Sequence, residues 1–396
     1  MPTPAGNAVE IAQSLIRCPS ITPDDGGALD VLAARLTAAG FVCDRLTFSE
    51  DGTPDIHNLF ARIGSGAPHL VFGGHTDVVP PGDETLWRHP PFAAEIADGI
   101  LYGRGASDMK GAIACFAAAA IAYAAERHAK IDGTISLLIT GDEEGPAVNG
   151  TKKLLAWMAE AGLTPDHCLV GEPSNPAMLG ESIKIGRRGS LCGHLTVTGQ
   201  QGHVAYPHLA ANPVKGIVAA LATLYGTPLD EGSVHFAPSN FEVTSIDVGN
   251  PATNVIPARA EARFNIRFND NHDPDSLKER LRAQVTSSLA STGLRYALDF
   301  APHGDVFVTE PGDLDALLGE AVTTVTGRTP VLSTDGGTSD ARFIKDYCPV
   351  VEFGLTTQTI HKTDENVALA DLGALTAIYQ RFIAHYFEIL GNTDAG

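Results

Sequence analysis

The order of apolar and polar positions predicts strands that alternate with helices through much of the chain. Apolar residues recur at helical spacing within 9–36, within 151–161 and in a closing segment from Leu369 to Leu390. Short apolar and β-branched runs predict strands at 41–48, 57–63, 69–74, 134–140 and 168–171. Strands that alternate with helices indicate an α/β domain with a mostly parallel sheet flanked by helices.

The middle of the chain has a different pattern. Residues 190–198 and 259–268 alternate between apolar and polar positions, which is typical of half-buried antiparallel strands. Two further stretches in this region have helical spacing. We therefore expect an inserted α+β two-layer domain at 189–302, which interrupts an outer domain formed by 1–188 and 303–396.

Composition narrows the classes of function. The chain has 396 residues, of which 44% are hydrophobic and 19% charged, as expected of a globular protein with more than one domain. A net charge of −20 argues against nucleic acid or an anionic membrane as a partner. The start of the chain lacks an export pattern, so we expect a cytoplasmic protein. The longest apolar stretch, 112–125, is shorter than the roughly 20 residues that span a bilayer and predicts a buried helix.

Acidic and histidine side chains follow several of the predicted strands. Six of them lie just past the carboxyl end of an apolar run: His75, Asp77, Glu143, Glu144, Glu172 and His361. Ligands of parallel α/β sheets bind at that edge. His75 and Asp77 are two residues apart and face the same side of an extended segment, so Asp77 can orient the His75 ring. By itself, a histidine or an aspartate in such a position more often has a structural role than a role as a ligand.

The same side chains suit one or two divalent metal ions of the zinc type, with no cysteine among the ligands. A metal pair needs a bridging carboxylate, and Asp108 can supply it. The ligands are then His75 and Glu172 on one metal, and Glu144 and His361 on the other. Glu143 is left to take a proton from a metal-bound water, as in metal-assisted hydrolysis. The alternative for Asp108 is to cap the alanine-rich helix that follows it.

Four motifs resemble those of a known family. Gly-His-Thr-Asp at 74–77, the glycine-rich segment 103–111, Gly-Asp-Glu-Glu-Gly at 141–145 and Gly-Glu-Pro-Ser at 171–174 are similar, in order, to motifs of the co-catalytic zinc aminoacylase and exopeptidase family. The resemblance implies a zinc-exopeptidase-like outer domain that is catalytic, and the metal and base roles assigned above. It also implies two Zn²⁺ per subunit, with Co²⁺ acceptable in place of one, and a cis peptide bond after Asp108.

The resemblance further implies a homodimer formed through the inserted domain. In the family, a histidine corresponding to His203 enters the active site of the partner subunit and stabilises the oxyanion of the tetrahedral intermediate. Considered alone, this histidine lies in a loop far from the metal ligands in sequence. A structural role is then the simpler interpretation.

Segments 186–190, 202–210, 254–257 and 333–343 resemble the branch of the family that releases succinate from N-succinyl-LL-2,6-diaminopimelate in bacterial lysine and cell-wall synthesis. A zinc-bridged water, activated by Glu143, would attack the succinyl amide. The three carboxylates of that small anionic substrate give the arginines a use as bidentate anion clamps instead of surface ion pairs. By resemblance, the substrate contacts are Arg187, Ser190, Tyr206, Asn254, Arg267, Gly337, Thr338 and Arg342, with Arg188 a further candidate clamp.

Two alternatives stay open at this stage. A sister amidase of the family, such as an acetylornithine deacetylase, an aminoacylase or a dipeptidase, would use the same metals on another acyl group. A non-catalytic, metal-dependent binding protein would keep the fold but would have no need of Glu143 beside a complete set of ligands. Substrate contacts in the loop after His361 are left unassigned.

Overall fold

The computed structural model describes residues 4–301 and 304–391, which pack as two compact units. Unit 1 contains the described residues up to Ile185, Thr309–Ser333 and the described residues from Ser339 onward. Unit 2 contains the described residues of Gly186–Val308, and Thr334–Thr338. The predicted boundary between 302 and 303 lies outside the described residues, and the predicted domain limits stay predictions.

Helices and strands alternate along unit 1, and strands predominate in unit 2. The helices are α1 (Pro4–Ile16), α2 (Ala28–Ala38), α3 (Lys110–Glu126), α4 (Thr151–Glu160), α5 (Pro213–Tyr225), α6 (Pro274–Leu289), α7 (Asp313–Thr326), α8 (Ala341–Ile344) and α9 (Leu369–Ile389). The strands are β1 (Val42–Phe48), β2 (Ile56–Ser65), β3 (His69–His75), β4 (Ile96–Ala97), β5 (Ile100–Tyr102), β6 (Gly133–Thr140), β7 (His167–Val170), β8 (Ser182–Lys184), β9 (Gly186–Arg187), β10 (Gly189–Thr198), β11 (Gly202–His203), β12 (Asn240–Asp247), β13 (Val255–Ile256), β14 (Arg259–Phe268), β15 (Arg295–Phe300), β16 (Phe307–Val308), β17 (Val331–Ser333), β18 (Val350–Glu352) and β19 (Asn366–Ala368).

Unit 1 is built on an eight-stranded sheet in the order β1-β2-β6-β3-β7-β18-β8-β17. Its centre is parallel: β3 runs parallel to β6 and to β7, and β7 runs parallel to β18. β1 and β2 add an antiparallel edge. Helices flank the sheet, with α3 packed against α1 and α9. The predicted α/β class with a mainly parallel sheet is confirmed.

The alanine-rich helix α3 lies in the core of unit 1. Small side chains let it pack closely against its neighbours, and most of its residues are buried. The Phe116 ring of α3 stacks on Phe72 of β3 at a centroid distance of 4.3 Å, and Tyr379 of α9 packs edge-on to both rings. The buried helix predicted from 112–125 is therefore confirmed. None of the described helices is long and apolar enough to cross a bilayer.

Unit 2 contains an antiparallel sheet in the order β12-β14-β10-β15, with α5 packed against β10, β14 and α6. The predicted alternation is present, because every second residue of β10 and β14 is buried in a core shared with the two helices. Gly189 and Gly193 leave space for the Phe268 and Phe264 rings directly opposite them on β14. This is the two-layer α+β arrangement that the pattern predicts.

Candidate metal centre

The carboxyl ends of three neighbouring strands place the acidic and imidazole groups of unit 1. β3 ends at His75, β6 ends at Thr140 shortly before Glu143 and Glu144, and β7 ends at Val170 two residues before Glu172. Because the three strands are parallel neighbours, their carboxyl ends meet at the same edge of the sheet. The structure brings these side chains together with Asp108 and His361.

Asp108 lies between the two histidines. Its Oδ1 is 3.3 Å from Nε2 of His75, and its Oδ2 is 3.3 Å from Nε2 of His361. On the first side, Nε2 of His75 is 3.5 Å from Oε1 of Glu172, and on the second side Nε2 of His361 is 2.8 Å from Oε1 of Glu144. One carboxylate thus faces two imidazole and glutamate pairs with a different oxygen toward each. The pairing is the one expected of a bridging ligand.

Asp108 does not cap the helix that follows it. α3 begins at Lys110, and its N-cap residue is Met109, whose side chain makes no capping hydrogen bond. The capping alternative is therefore wrong, and the carboxylate is available to the histidines. The Asp108–Met109 peptide bond is cis, as the resemblance implies.

Grouping the potential ligand atoms by distance alone gives two sets, and both contain His75. The potential ligand atoms of His75, Asp108 and Glu144 lie within 4.8 Å of one another, and so do those of His75, Glu143 and Glu172. The first of these sets places Glu144 on the His75 side, whereas Oε1 of Glu144 lies only 2.8 Å from Nε2 of His361. We favour the pairing through the two Asp108 oxygens, because it accounts for both imidazoles. The potential ligand atom of Glu143 lies within 4.8 Å of those of His75 and Glu172, so Glu143 is beside this side of the cluster.

The buried donors fit a divalent cation. His75 Nε2 and Asp108 Oδ1 are both buried, and neither has a hydrogen-bond partner of acceptable geometry within the described part of the chain. Leaving such groups unsatisfied costs about 1–3 kcal/mol each. Nitrogen and oxygen donors without sulfur suit zinc and similar ions, whose binding would satisfy both atoms.

The electrostatics of the cluster support the same conclusion. Burial, and after it the negative charge of Glu172, raises the pKa of the Glu143 carboxyl well above its ordinary value. Burial lowers the pKa of His75, but its contacts with Asp108 and Glu172 outweigh burial and raise that pKa. Contacts with Asp108 and then Glu144 raise the pKa of His361 to about 10. The carboxylates therefore attract positive charge, and a divalent cation would neutralise them.

The backbone carbonyl and the side-chain carboxylate of Asp77 contact different groups. Its carbonyl oxygen lies 2.9 Å from Nδ1 of His75, whereas its carboxylate is 3.7 Å from the same nitrogen. A carbonyl only accepts, so Nδ1 carries a proton, and in the neutral ring Nε2 presents its lone pair to the cluster. The Asp77 carboxylate instead accepts the backbone N–H groups of Glu143 at 3.3 Å and Glu144 at 3.0 Å. The expected contact of the Asp77 carboxylate with the ring is thus replaced by one from its backbone carbonyl, and the buried side chain holds the acidic loop.

His361 lies in the loop between β18 and β19 and has a backbone φ of 58°. This left-handed conformation is uncommon for a residue with a Cβ atom, and such strain concentrates at functional sites. Its side chain is about half exposed, at 48%, while that of His75 is buried. The His361 side of the cluster is therefore the more open one.

The predicted residues of unit 2 form two groups. In the first, β11 pairs with β13, so that His203 lies opposite Val255, and the N–H of Val204 donates to the carbonyl of Asn254 at 3.0 Å. The ring of Tyr206 lies 5.6 Å from that of His203. His203, Tyr206 and Asn254 are all exposed. They form one exposed polar surface.

The second group lies around the start of β10. Ser190 and Arg267 are directly opposite each other on β10 and β14. Nη1 of the buried Arg187 donates to the carbonyl of Gly337 at 3.0 Å, and Thr338 follows in the same short segment. Residues from distant parts of the sequence are therefore brought together within unit 2.

Arg342 belongs to unit 1, on the short helix α8. Its Nη2 lies 3.8 Å from Oδ1 of Asp340, and its guanidinium lies 4.6 Å from the centre of the Phe343 ring. Asp340 in turn lines a small cavity together with Glu143 and His75. Arg342 is therefore a predicted substrate contact that lies in unit 1, near the metal cluster.

The sequence did not single out Arg104 and Glu365, which form a buried ion pair at 2.7 Å. Arg104 lies between two glycines inside a motif that was recognised, and Glu365 lies four residues after His361. The only sequence signal was a charged residue inside a glycine-rich turn. That signal is too weak to identify a partner about 260 residues away.

Comparison with known proteins agrees with this geometry. A sequence model of Peptidase family M20/M25/M40 matches residues 71–385. The chain belongs to this family. Two relatives named succinyl-diaminopimelate desuccinylase cover nearly the whole chain. The one from Rhodopseudomonas palustris strain TIE-1 is 58% identical over 97% of this chain and 100% of its own length. The one from Methylorubrum extorquens is 57% identical over 95% of this chain and 98% of its own length.

Solved structures show the M20 fold at lower identity. The M20 family metallo-carboxypeptidase Sso-CP2 of Sulfolobus solfataricus superposes with a TM-score of 0.73 at 19% identity, covering 96% of this chain and 99% of its own. Aminopeptidase PepT of Bacillus cereus gives 0.75 at 19% identity, covering 96% of this chain and 98% of its own. These two enzymes establish that the fold is the M20 fold.

Asp77→Asn tests the role of the buried carboxylate. The change keeps the backbone carbonyl that orients His75 but turns an NH₂ donor toward the N–H groups of Glu143 and Glu144. We expect divalent-metal affinity to fall about 10- to 100-fold, the usual effect of losing a residue that supports metal ligands. Competition with a chromophoric chelator measures it. Asp83→Asn is the matched control, because Asp83 caps a backbone N–H at the surface. Unchanged affinity in Asp77→Asn would contradict the role.

Proposed function

We propose that the protein is a metal-dependent amidohydrolase that converts N-succinyl-LL-2,6-diaminopimelate to succinate and LL-2,6-diaminopimelate, in bacterial lysine and cell-wall synthesis. The observation that carries this proposal is the buried Asp108 carboxylate, which faces both histidines and leaves Glu143 beside them. The names of the relatives at 57–58% identity over nearly full length support the choice of substrate. A cytoplasmic location follows from such a biosynthetic role.

The proposed cofactor is a pair of Zn²⁺ ions per subunit, one of which Co²⁺ can replace. Asp108 would contribute to both sites, His75 and Glu172 would hold one ion, and Glu144 and His361 would hold the other. Bound metal of this kind polarises the amide carbonyl and lowers the pKa of water. The protein would set the spacing of the two ions through the two oxygens of Asp108, and it would orient the His75 ring.

Glu143 is the proposed general base. It takes a proton from the attacking water and passes it to the leaving nitrogen, so that the amine departs neutral. The acidic loop that carries it is fixed by the Asp77 carboxylate.

The arginines of unit 2 supply the proposed anion clamp. Burial, and then repulsion from Arg188, lowers the pKa of the Arg267 guanidinium. A cationic cluster of this kind is stabilised by a bound carboxylate, which arginine can hold with two parallel hydrogen bonds. The proposed substrate contacts are Arg187, Arg267 and Arg342, together with Ser190, Gly337 and Thr338.

The proposed assembly is a homodimer formed through the inserted domain. His203 is exposed in the single chain, beside Tyr206 and Asn254, and its Nδ1 accepts the N–H of Ala205 at 3.0 Å. Nε2 is then left to donate to the oxyanion in the partner subunit's active site. In this proposal each active site is complete only in the dimer.

The substrate is tested by a panel. Zinc-loaded protein should release succinate from N-succinyl-LL-2,6-diaminopimelate faster than it hydrolyses N-acetylornithine or a dipeptide. Glu143→Gln should lower kcat at least about 100-fold, the loss of a general base, with the metal content unchanged. Glu160→Gln, on the exposed end of α4, is the matched control. A preference for another amide would indicate a sister amidase, and no hydrolysis of any substrate would indicate a binding protein.

The bridge is tested by metal titration of chelator-treated protein. Asp108→Ala should weaken both binding steps, because both sites lose a ligand, whereas Glu144→Ala should weaken one step and leave the other. Calorimetry and elemental analysis measure the two steps. If Asp108→Ala kept one site at wild-type affinity, the carboxylate would not be shared.

The contribution of His203 across a dimer is tested by complementation. Glu143→Ala and His203→Ala homodimers should each be nearly inactive. After subunit exchange, a mixed dimer has one site with both residues intact if His203 acts on the partner. Activity should then rise to about a quarter of wild type, because half of the dimers are mixed and half of their sites are complete. Absence of any gain, with exchange verified by mass, would show that His203 does not act across the interface.

A further inference from the structure

We propose that Glu365 is a positioning residue of the metal centre, which holds the segment carrying Asp108 against the loop carrying His361 and thereby sets metal affinity. The inference rests on the metal centre of the proposed function, but not on the identity of the substrate. Glu365 is completely buried and lies outside the set of ligands and bases assigned above.

Both carboxylate oxygens of Glu365 are occupied by hydrogen bonds from residues 104–108. Oε1 accepts the backbone N–H groups of Ser107 at 2.9 Å and Asp108 at 3.0 Å. Oε2 accepts the N–H of Gly105 at 3.0 Å and Nη1 of Arg104 at 2.7 Å. With two donors on each oxygen, this carboxylate is a structural acceptor and not a further metal ligand.

The backbone of the His361 loop is tied to the same segment. The carbonyl of Glu365 accepts the N–H of Gly103 at 2.9 Å, and the carbonyl of Lys362 accepts Nη1 of Arg104 at 3.3 Å. The next residue, Asn366, begins β19, which pairs with β5 just before the glycine-rich segment. The segment 361–366 and the segment 103–108 are therefore joined at several points.

This connection matters because one carboxylate faces both histidines from a single point of the backbone. Oδ1 of Asp108 has no hydrogen-bond partner of acceptable geometry among the described residues, so no hydrogen bond fixes that oxygen. The backbone N–H, bonded to Glu365, fixes the point from which the carboxylate extends toward both imidazoles. Ligands generally have to be held to within about 0.5 Å of their productive geometry. Moving the N–H of Asp108 would change its distance to His75 and to His361 together.

The competing interpretation is that Glu365 only neutralises Arg104. Arg104 is buried, and removing one member of a buried ion pair leaves an uncompensated charge that destabilises the fold. A stability measurement alone would not separate the two roles. The separation requires a variant in which the charge balance is restored while the acceptor for the Asp108 segment is still missing.

The experiment compares Glu365→Gln with the double variant Arg104→Met/Glu365→Gln, by Zn²⁺ titration of chelator-treated protein and by thermal unfolding. We expect Glu365→Gln to lose affinity for Zn²⁺ about 10- to 100-fold, since it keeps one acceptor oxygen but turns a donor toward backbone N–H groups. The double variant should regain thermal stability but not Zn²⁺ affinity. The absorption of bound Co²⁺ should change in both variants, because the ligand geometry changes.

Asp364→Asn is the matched control on the same loop. Asp364 also binds a backbone N–H and an arginine, but its partner Arg88 is exposed and lies outside the segment of Asp108. Its Zn²⁺ affinity should equal that of wild type. If Glu365→Gln does not fold, Glu365→Asp replaces it: the charge opposite Arg104 is kept, the carboxylate is shorter by one methylene, and affinity should still fall.

Two results would overturn the inference. One is wild-type Zn²⁺ affinity in the Glu365 variant, and the other is affinity that recovers together with stability in the double variant. If the wild-type protein bound no Zn²⁺, the metal centre itself would fail and this inference with it. If the wild-type protein bound two ions but did not hydrolyse the succinylated substrate, only the substrate assignment would fail.

Discussion

Mutual repulsion of carboxylates at one edge of a parallel sheet is the constraint on which the site depends. The potential ligand atoms of Glu143 and Glu172, and those of Asp108 and Glu144, lie within 4.8 Å of one another. Two unit charges about 4 Å apart interact with about 4 kcal/mol at an effective dielectric constant of about 20. A folded domain is stable by only about 5–15 kcal/mol in total. Several such contacts are tolerable only if protons or cations compensate them, and divalent ions do so most effectively.

The surroundings of Asp108 hold this unfavourable arrangement in place. Glu365 binds its backbone N–H on one side. On the other side the buried Met109 side chain packs against the ends of β3 and β7, where Gly74 and Gly171 leave the space that it needs. A Cβ at Gly74 would lie 2.7 Å from the Met109 methyl group, and one at Gly171 would lie 2.8 Å from it. At Gly171 the Phe72 ring comes closer still, at 2.5 Å from such a Cβ, so both rigid and flexible side chains occupy the space beside these glycines.

Much of the fold and of the site could be predicted because both depend on local pattern. Strand and helix periodicity give the α/β class, and parallel strands bring His75, Glu143 and Glu172 to a common edge without any knowledge of long-range contacts. The roles of the Asp77 side chain and of Glu365 could not be predicted in this way. Both carboxylates accept hydrogen bonds from backbone N–H groups of a distant loop. Their function therefore depends on which loops come together in space and not on their neighbours in sequence.

The proposed function assigns metal chemistry and recognition of an anionic substrate to two groups of residues with opposite charge. Unit 1 carries the acidic cluster, which suits cations, while unit 2 carries Arg187, Arg188 and Arg267. The net charge of −20 disfavours the approach of an anionic substrate, but salt screens that field over about 8 Å at physiological ionic strength. Recognition of carboxylates then depends on short-range bidentate contacts, which screening hardly affects. The proposed function therefore assigns selectivity for the acyl group to the arginines, and the hydrolytic chemistry to the cluster around Asp108.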